Sequence, residues 1–151
     1  MSFADELRGF TNQKKEREAA DAAVRAAQVK NGWPIVVELF YRNLKGWCVL
    51  RARGGESSWS WAFFNFLRTF DAQRRLLDAS GEDYCPTQEE ESLLWDIRKS
   101  ICYDDRLSAR YAQDLARDIT ARLRAEGLEV QATSLNHDNT DFPDVNFYIQ
   151  W

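Results

Sequence analysis

The segment from Asn136 to Asp144 holds three aspartates, two asparagines and the only histidine of the chain, His137. Carboxylate and amide oxygens bind divalent cations, so a metal-dependent hydrolase could be built on this segment. Its spacing differs from that of an EF-hand, because no glycine stands at the bend and no acidic residue at the closing position. Asn, Asp and Pro are also the preferred residues of turns. We therefore expect a turn here, assign no metal ligand or cofactor, and keep the hydrolase as a minor alternative.

Two arginines in the first half of the chain indicate a second chemistry. Arg51 and Arg53 precede Gly54-Gly55, but neither of the phosphate-binding spacings GxxxxGK[ST] and GxGxxG is present. Tryptophans flank the pair, and indole rings can stack on a nucleobase while guanidinium groups bind phosphate. Trp47, Trp59 and Trp61 together with the two arginines therefore predict, as an alternative function, a small-ligand protein that binds a nucleotide.

No set of residues in the sequence matches a catalytic motif. His137 is a lone candidate for a general base, and neither GxSxG nor HExxH is present. The acidic run from Glu89 to Glu91 is explained by the favourable position of acidic groups at a helix N-terminus. We predict no catalytic residue and a non-enzymatic protein.

Ten of the twenty aromatic residues lie between Trp33 and Phe70, in one quarter of the chain. In the second half of this region, bulky residues recur at spacings of four and three, which favours a helix from about Ser58 to Ala79. Bulky and small residues also alternate at its start, as in a strand, but the helical pattern is longer. The stripe that this helix would turn towards the core contains Phe63, Phe66 and Phe70.

A second face of that predicted helix carries the main candidate binding surface. Trp59 and Trp61 would lie about 200° apart on a helix, so both cannot face the core. Trp61, Phe64 and Arg68 would share the other side, and Trp and Arg are frequent among interface hot spots. This face therefore predicts a docking site for another protein.

The N-terminal third is expected to be helical. An alanine-rich helix begins near Ser2 and should end at Asn31-Gly32. A second helix begins at Trp33-Pro34 and stops at Gly46, and a short strand follows from Trp47 to Ala52. A continued helix through that strand is the alternative, because Gly46 is the only break. The N-terminal helix could also pair with that of a second copy in a homodimer.

Two further helices and a hairpin complete the predicted fold. A capping box at Thr87 and Glu90 starts one helix, and the next runs over residues 105–126. Apolar and polar residues then alternate over residues 128–133 and 145–151, which predicts an antiparallel hairpin. The resulting fold class is α+β, a mostly helical single domain over residues 1–151. Its parts are an N-terminal Ala-rich helical arm (1–32), a helical core (33–126) and a C-terminal antiparallel β-hairpin (127–151) packed on a helix.

Composition restricts the class of partner and the cellular compartment that we expect for this chain. The formal net charge is −4 and basic residues alternate with acidic ones, which argues against binding of double-stranded nucleic acid. No apolar run is long enough to span a membrane, and the N-terminus lacks the apolar segment of a signal peptide. Three cysteines without a CxxC pair are typical of reduced thiols, so we expect a cytoplasmic protein.

An acidic chain with an aromatic surplus and no catalytic motif is typical of a small inhibitor or adaptor. We therefore predict a protein that binds another protein through an aromatic and arginine surface. Phages and mobile elements use proteins with this profile to inhibit bacterial defence systems. The predicted binding residues are Trp61, Phe64, Arg68, Trp59, Arg51 and Arg53.

Overall fold

The computed structural model describes residues 2–63, 65–67, 70, 76–103, 105–136 and 143–151. The predicted α+β fold with a C-terminal antiparallel hairpin is confirmed. The helices in these ranges are α1 (Phe3–Arg53), α2 (Gln88–Tyr103) and α3 (Asp105–Ala125), and the strands are β1 (Ser58–Ala62), β2 (Leu76–Leu77), β3 (Asp83–Tyr84), β4 (Glu129–Asn136) and β5 (Pro143–Gln150).

Helix α1 runs without interruption through 51 residues. The predicted end at Asn31-Gly32 and the restart at Pro34 are therefore wrong, and so is the strand from Trp47 to Ala52. The alternative of a continued helix through that stretch is confirmed. Proline inside a helix removes one backbone hydrogen bond. Here the turns on both sides are held by burial of Val29 and Val36, each fully inaccessible to solvent.

Gly32 and Gly46 stay inside α1 because neighbouring segments pack against their bare backbone. A Cβ atom placed on Gly32 would lie 2.7 Å from Leu93 Cδ2 of α2. A Cβ atom placed on Gly46 would collide with the carbonyl oxygen of Asp78. Both glycines are buried, so their role is to permit close approach and not to end the helix.

The N-terminal half of α1 is an exposed arm. Every residue from Ser2 to Arg25 is exposed, and Val29 is the first buried residue of the helix. The capping-box geometry at Ser2 and Asp5 satisfies the first backbone N–H groups of the arm. The alanine-rich arm is therefore helical as predicted, although its helix continues beyond residue 32.

A three-stranded antiparallel sheet with the order β1-β5-β4 replaces the start of the predicted helix at Ser58. Trp59 pairs with Ile149 and Trp61 with Phe147, so strand β1 adds to the hairpin. The prediction of one helix from Ser58 to Ala79 is wrong at both ends, since Leu76–Leu77 also forms a strand. Helical backbone occurs in between, at Phe63, residues 65–67 and Phe70.

The core lies between the sheet and the helices. The hairpin packs on α3 as predicted, with Leu115, Ile119 and Leu123 fully buried on the helix side. The expectation that Phe63, Phe66 and Phe70 belong to the core is confirmed, because all three side chains are buried. Among the described helices, none has the length and apolar character needed to cross a bilayer.

Candidate binding site formed by three tryptophans and Arg51

A tight reversal of the chain brings β1 against the last turns of α1. Gly55, with φ of 85°, turns the chain after the helix, and the Glu56 N–H donates to the Arg51 carbonyl oxygen at 2.9 Å. A positive φ is readily adopted only by glycine. Alternate residues of a strand point to the same side. Trp59 and Trp61 therefore both face α1, although they were predicted on opposite sides of a helix.

Three indole rings meet where β1 crosses α1. Trp47 of α1 lies 5.6 Å from Trp59 and 5.8 Å from Trp61, measured between ring centroids. Trp59 and Trp61 lie 5.5 Å apart, with their planes 23° from parallel. All three rings are partly exposed. We call Trp47, Trp59 and Trp61 the tryptophan cluster.

Arg51 covers one side of the tryptophan cluster. Its guanidinium carbon lies 4.0 Å from the centroid of the Trp59 ring, a cation–π contact. One of its nitrogens donates to Glu56 Oε1 at 3.3 Å, so the guanidinium is held in place. Arg51 is one helical turn after Trp47, which puts both side chains on the same face of α1.

The structure brings together three of the six predicted binding residues: Trp59, Trp61 and Arg51. Arg53 is exposed in the last turn of α1, two residues from Arg51 and therefore on a different side of the helix. Phe64 and Arg68 lie outside the described residues. The predicted helical face of Trp61, Phe64 and Arg68 requires Trp61 to be helical, and that part of the prediction is wrong because Trp61 belongs to β1.

Two polar groups in the tryptophan cluster lack a partner. The indole nitrogens of Trp59 and Trp61 are buried, and neither donates a hydrogen bond within the part of the chain that the structure describes. An unpaired buried donor costs about 1–3 kcal/mol. Such local inconsistencies are characteristic of functional surfaces, where residues are selected for a task other than stability.

A shallow apolar groove of about 210 Å³ lies on the adjacent side of the same turns of α1. Cys48 lies in its wall, and burial raises the pKa of this thiol to about 11. The thiol is therefore neutral at physiological pH and a poor nucleophile. Trp151 also lines the groove, and its backbone N–H donates a hydrogen bond to the Ser57 carbonyl oxygen at 3.2 Å. The lining residues are Lys45, Cys48, Val49, Ala52, Leu128 and Trp151.

The segment from Asn136 to Asp144, where the sequence predicts a turn, is only partly described. Residues 137–142, which include His137, lie outside the described ranges. Asp144 is 4% exposed, and its carboxylate accepts a hydrogen bond from the Val145 N–H at 2.8 Å. Within residues 2–63, 65–67, 70, 76–103, 105–136 and 143–151, no three His, Cys, Asp or Glu side chains are placed to hold a metal ion.

A polar network between α1 and α3 was missed by sequence reasoning. Arg122 donates to Glu38 at 2.8 Å and lies 3.7 Å above the Tyr41 ring, and Lys45 pairs with Glu126 at 2.8 Å. Burial, with the hydrogen bond to Glu126, raises the pKa of Tyr41 to about 12. These partners are some eighty residues apart in sequence, so no local signal reveals them. The network joins two helices and contains no group poised for chemistry.

Comparison with protein-family models, with curated proteins and with solved structures finds no match for this chain. The function is therefore argued from the geometry of its surfaces.

Proposed function

We propose that the chain is a non-enzymatic, cytoplasmic protein that binds another protein, and that the tryptophan cluster with Arg51 is its docking surface. The observation that carries this proposal is the contact of three partly exposed indole rings, all within 5.8 Å of one another, under a guanidinium at 4.0 Å. Tryptophan and arginine are the residues most enriched among interface hot spots. Free thiols at Cys48 and Cys85 support a reducing compartment.

The chemistry of the cluster supports binding over catalysis. Indole rings are neither nucleophiles nor bases, and a guanidinium cannot be deprotonated under physiological conditions. What the cluster does supply is a partly exposed aromatic surface beside the guanidinium of Arg51, which is paired with Glu56. A partner that covers it would remove aromatic area from water, the main source of affinity in interface centres.

Nucleotide binding is the second candidate, because the same groups could hold a base and a phosphate. A base sandwiched between two rings needs about 7–8 Å between them, twice the usual separation of packed carbon atoms. The centroids here are 5.5–5.8 Å apart, so a base could stack only on an outer ring face. Arg51 is already engaged by Trp59 and Glu56. These contacts favour a protein partner.

The test compares two arginine variants in one turn of α1. A partner is first identified by cross-linking in the native host, and the purified complex is then titrated. Arg51→Ala should lower the affinity at least about tenfold, which corresponds to about 1.4 kcal/mol. Arg53→Ala removes an equal charge two residues away and should change the affinity by less than about twofold.

Two results would contradict the proposal. Equal losses of affinity for Arg51→Ala and Arg53→Ala would indicate a general charge effect, and unchanged affinity in both would place the docking surface elsewhere.

A titration with ATP tests the second candidate function, nucleotide binding. Tryptophan quenching and a raised melting temperature that depend on Arg51 would support nucleotide binding instead.

A further inference from the structure

Strand β4 forms one edge of the three-stranded sheet. All eight of its residues pair with β5 in one continuous register, and no other described strand lies against its second side. The opposite edge, β1, is shorter, with five residues, and lies against α1. We call the second side of β4 the open edge.

The backbone groups on the open edge can be assigned residue by residue. The Trp151 N–H donates to the Ser57 carbonyl oxygen at 3.2 Å, so Trp151 directs its backbone polar groups towards β1. Successive residues of a strand direct these groups to opposite sides. Gln150 therefore bonds to β4, through its partner Glu129. By the same alternation, the odd-numbered residues of β4 bond to β5 and the even-numbered residues point outward.

Two further observations agree with this assignment. Arg124 of α3 donates from Nη2 to the carbonyl oxygen of Val130, an even-numbered residue, at 3.0 Å. Gln131, Ala132 and Thr133 are all exposed, so neither face of the sheet is covered at this point. Within the described ranges, no backbone group from outside the sheet bonds to Ala132. Its outward N–H and C=O are therefore open to a further strand.

The open edge lacks the features that usually keep another strand away. Natural edge strands carry lysine, proline or a bulge for this purpose. From Val130 to Asn136 the sequence has no charged residue and no proline. The register with β5 is also uninterrupted. This edge is therefore a regular template on which a strand can be added.

We propose that the open edge pairs with the same edge of a second copy, as an antiparallel, two-fold dimer with one continuous six-stranded sheet. Each outward residue offers a donor and an acceptor, and an identical antiparallel strand offers the same two groups in return. A two-fold contact of this kind uses the open edge of both copies, so the assembly closes at two chains.

The charge of the chain supports a second copy at this edge and sets the direction of pairing. Each copy has a net charge of −4, and the segment from Val130 to Asn136 is one where two copies can meet without facing like charges. Glu129 is the one charged residue of β4. Centred on Ala132, an antiparallel pair places the two Glu129 side chains about 20 Å apart. A parallel pair in register would place them side by side.

The same alignment brings together residues that fit. Ala132 faces its own copy, and Gln131 faces Thr133 of the other chain, so the centre contains small or polar side chains. One strand pairing buries less than the roughly 800 Å² that a stable complex buries on each partner. The dimer is therefore weak, with half-dissociation on the order of 100 µM.

The first experiment is sedimentation equilibrium of the full chain between about 5 µM and 1 mM, a range that brackets weak association. The average mass of the wild type should rise from one chain to two. Ala132→Pro should stay monomeric, because its ring takes the place of the outward N–H. Its melting temperature should stay near that of the wild type, since proline is tolerated where a strand N–H faces solvent.

A pair of lysine variants separates the edge from the face of the sheet. Thr133→Lys puts like charges near the two-fold axis and should weaken the dimer several-fold at low salt. Gln150→Lys adds the same charge on the same exposed face, but in β5, one strand away from the edge. This control should dimerise as the wild type does.

Disulfide formation tests the antiparallel direction in a Cys85→Ser background, because Cys85 is exposed. Facing residues that are not hydrogen-bonded across an antiparallel pair have Cα atoms about 4.5 Å apart, within reach of a disulfide. A mixture of Gln131→Cys and Thr133→Cys chains should therefore oxidise mainly to the mixed dimer. In a parallel pair each variant would cross-link to itself.

Any of three results would overturn the proposal: a wild type that is monomeric at 1 mM, an Ala132→Pro variant that dimerises normally, or cross-linking of like variants in preference to the mixed pair. A monomeric wild type would leave the open edge for a strand of a different protein. Strand β5 separates this edge from β1 and its tryptophans. Failure here therefore leaves the proposed function intact, and failure of the Arg51 test leaves the dimer intact.

Discussion

The guanidinium carbon of Arg122 lies 3.7 Å from the centroid of the Tyr41 ring, and one of its nitrogens lies 2.8 Å from Glu38 Oε2. Through this one side chain, α3 is attached to two positions three residues apart on α1. Tyr41 is 7% exposed, whereas the Arg122 side chain is 39% exposed, so the cation–π contact is shielded from water on the Tyr41 side only. The sheet rests on α3, and the contact therefore helps to fix the sheet relative to the long helix.

Arg122→Ala should lower the free energy of unfolding by about 1 kcal/mol, because a cation–π contact and an ion pair, both partly exposed, are lost together. Arg117→Ala is the matched control. Arg117 is 71% exposed, and within the part of the chain that the structure describes its ion pairs are with Asp114 and Asp118 of its own helix, so its loss should change stability by less than about 0.5 kcal/mol. Urea unfolding of the two variants measures the difference in stability. Equal losses in the two variants would contradict a stabilising role for the contacts of Arg122 with Tyr41 and Glu38.

The ion pair between Lys45 and Glu126 should make stability depend on pH. Hydrogen bonds from Lys45 and Tyr41 lower the pKa of Glu126 below its ordinary value of 4.5. A carboxyl group whose pKa is lower in the folded state stabilises the fold above its unfolded pKa, and this contribution disappears as the pH falls through the folded pKa. The stability difference between wild type and Glu126→Gln should therefore be largest near neutral pH and shrink below about pH 4.5. A difference that stays constant down to about pH 3 would be inconsistent with this assignment.

Asn43 is a buried polar residue with a defined task. It is 3% exposed, and its side-chain oxygen accepts a hydrogen bond from the Leu77 N–H at 3.0 Å. Asn43→Ala leaves that backbone donor unpaired in the core, so we expect a loss of about 1–3 kcal/mol. Asn31→Ala changes an exposed asparagine of the same helix and should stay within about 0.5 kcal/mol. Thermal and urea unfolding would check both, and similar stabilities would show that Leu77 finds another acceptor.

Substitution of glycine by alanine should be destabilising at Gly46 and stabilising at Gly9, although both residues belong to α1. A Cβ atom on Gly46 would collide with the Asp78 carbonyl oxygen, whereas a Cβ atom on Gly9 would have no atom of the described residues within 4 Å. Gly46→Ala should therefore cost about 1–3 kcal/mol through overpacking. Gly9→Ala should increase the helicity of the arm, because alanine is favoured over glycine by about 1 kcal/mol in a helix. Circular dichroism with chemical unfolding separates the two, and a stable Gly46→Ala protein would mean that β2 can move away.

Sequence patterns predicted the elements whose determinants are local. The capping box at Thr87 and Glu90 is present, with the Glu90 N–H donating to Thr87 Oγ1 at 3.2 Å and the Thr87 N–H donating to Glu90 at 3.0 Å. The alternation in the last quarter of the chain likewise predicted both strands of the hairpin. Each of these signals depends on residues within a few positions of one another.

The errors arose where distant segments decide the conformation. In the sequence, a glycine that ends a helix cannot be told from a glycine that lets another segment pack closely on the helix. At Gly32 the packed segment contains Leu93, and at Gly46 it contains Asp78, both distant in sequence. The segment at Trp59 fitted a helix and a strand equally at its start. Pairing with β5 decided in favour of the strand, which is the usual way that tertiary contacts override local preference.

The candidate site was predicted in part. Trp47, Trp59, Trp61 and Arg51 were named together from composition, but Trp59 and Trp61 were both placed on a helix. The four side chains meet because the chain reverses at Gly55, and a reversal of this kind is not visible in the spacing of the residues. Residue type therefore indicated what the surface is made of, and tertiary structure decided how it is assembled.

The unbroken course of α1 has a mechanical consequence. A helix is stiff along its axis, and from Val29 to Phe3 it extends about 39 Å beyond the packed body. A tilt of roughly 10° at that point would sweep the N-terminal end through about 7 Å. A molecule bound at Phe3 would be kept at a set spacing from one bound at Trp47, because both residues belong to the same continuous helix.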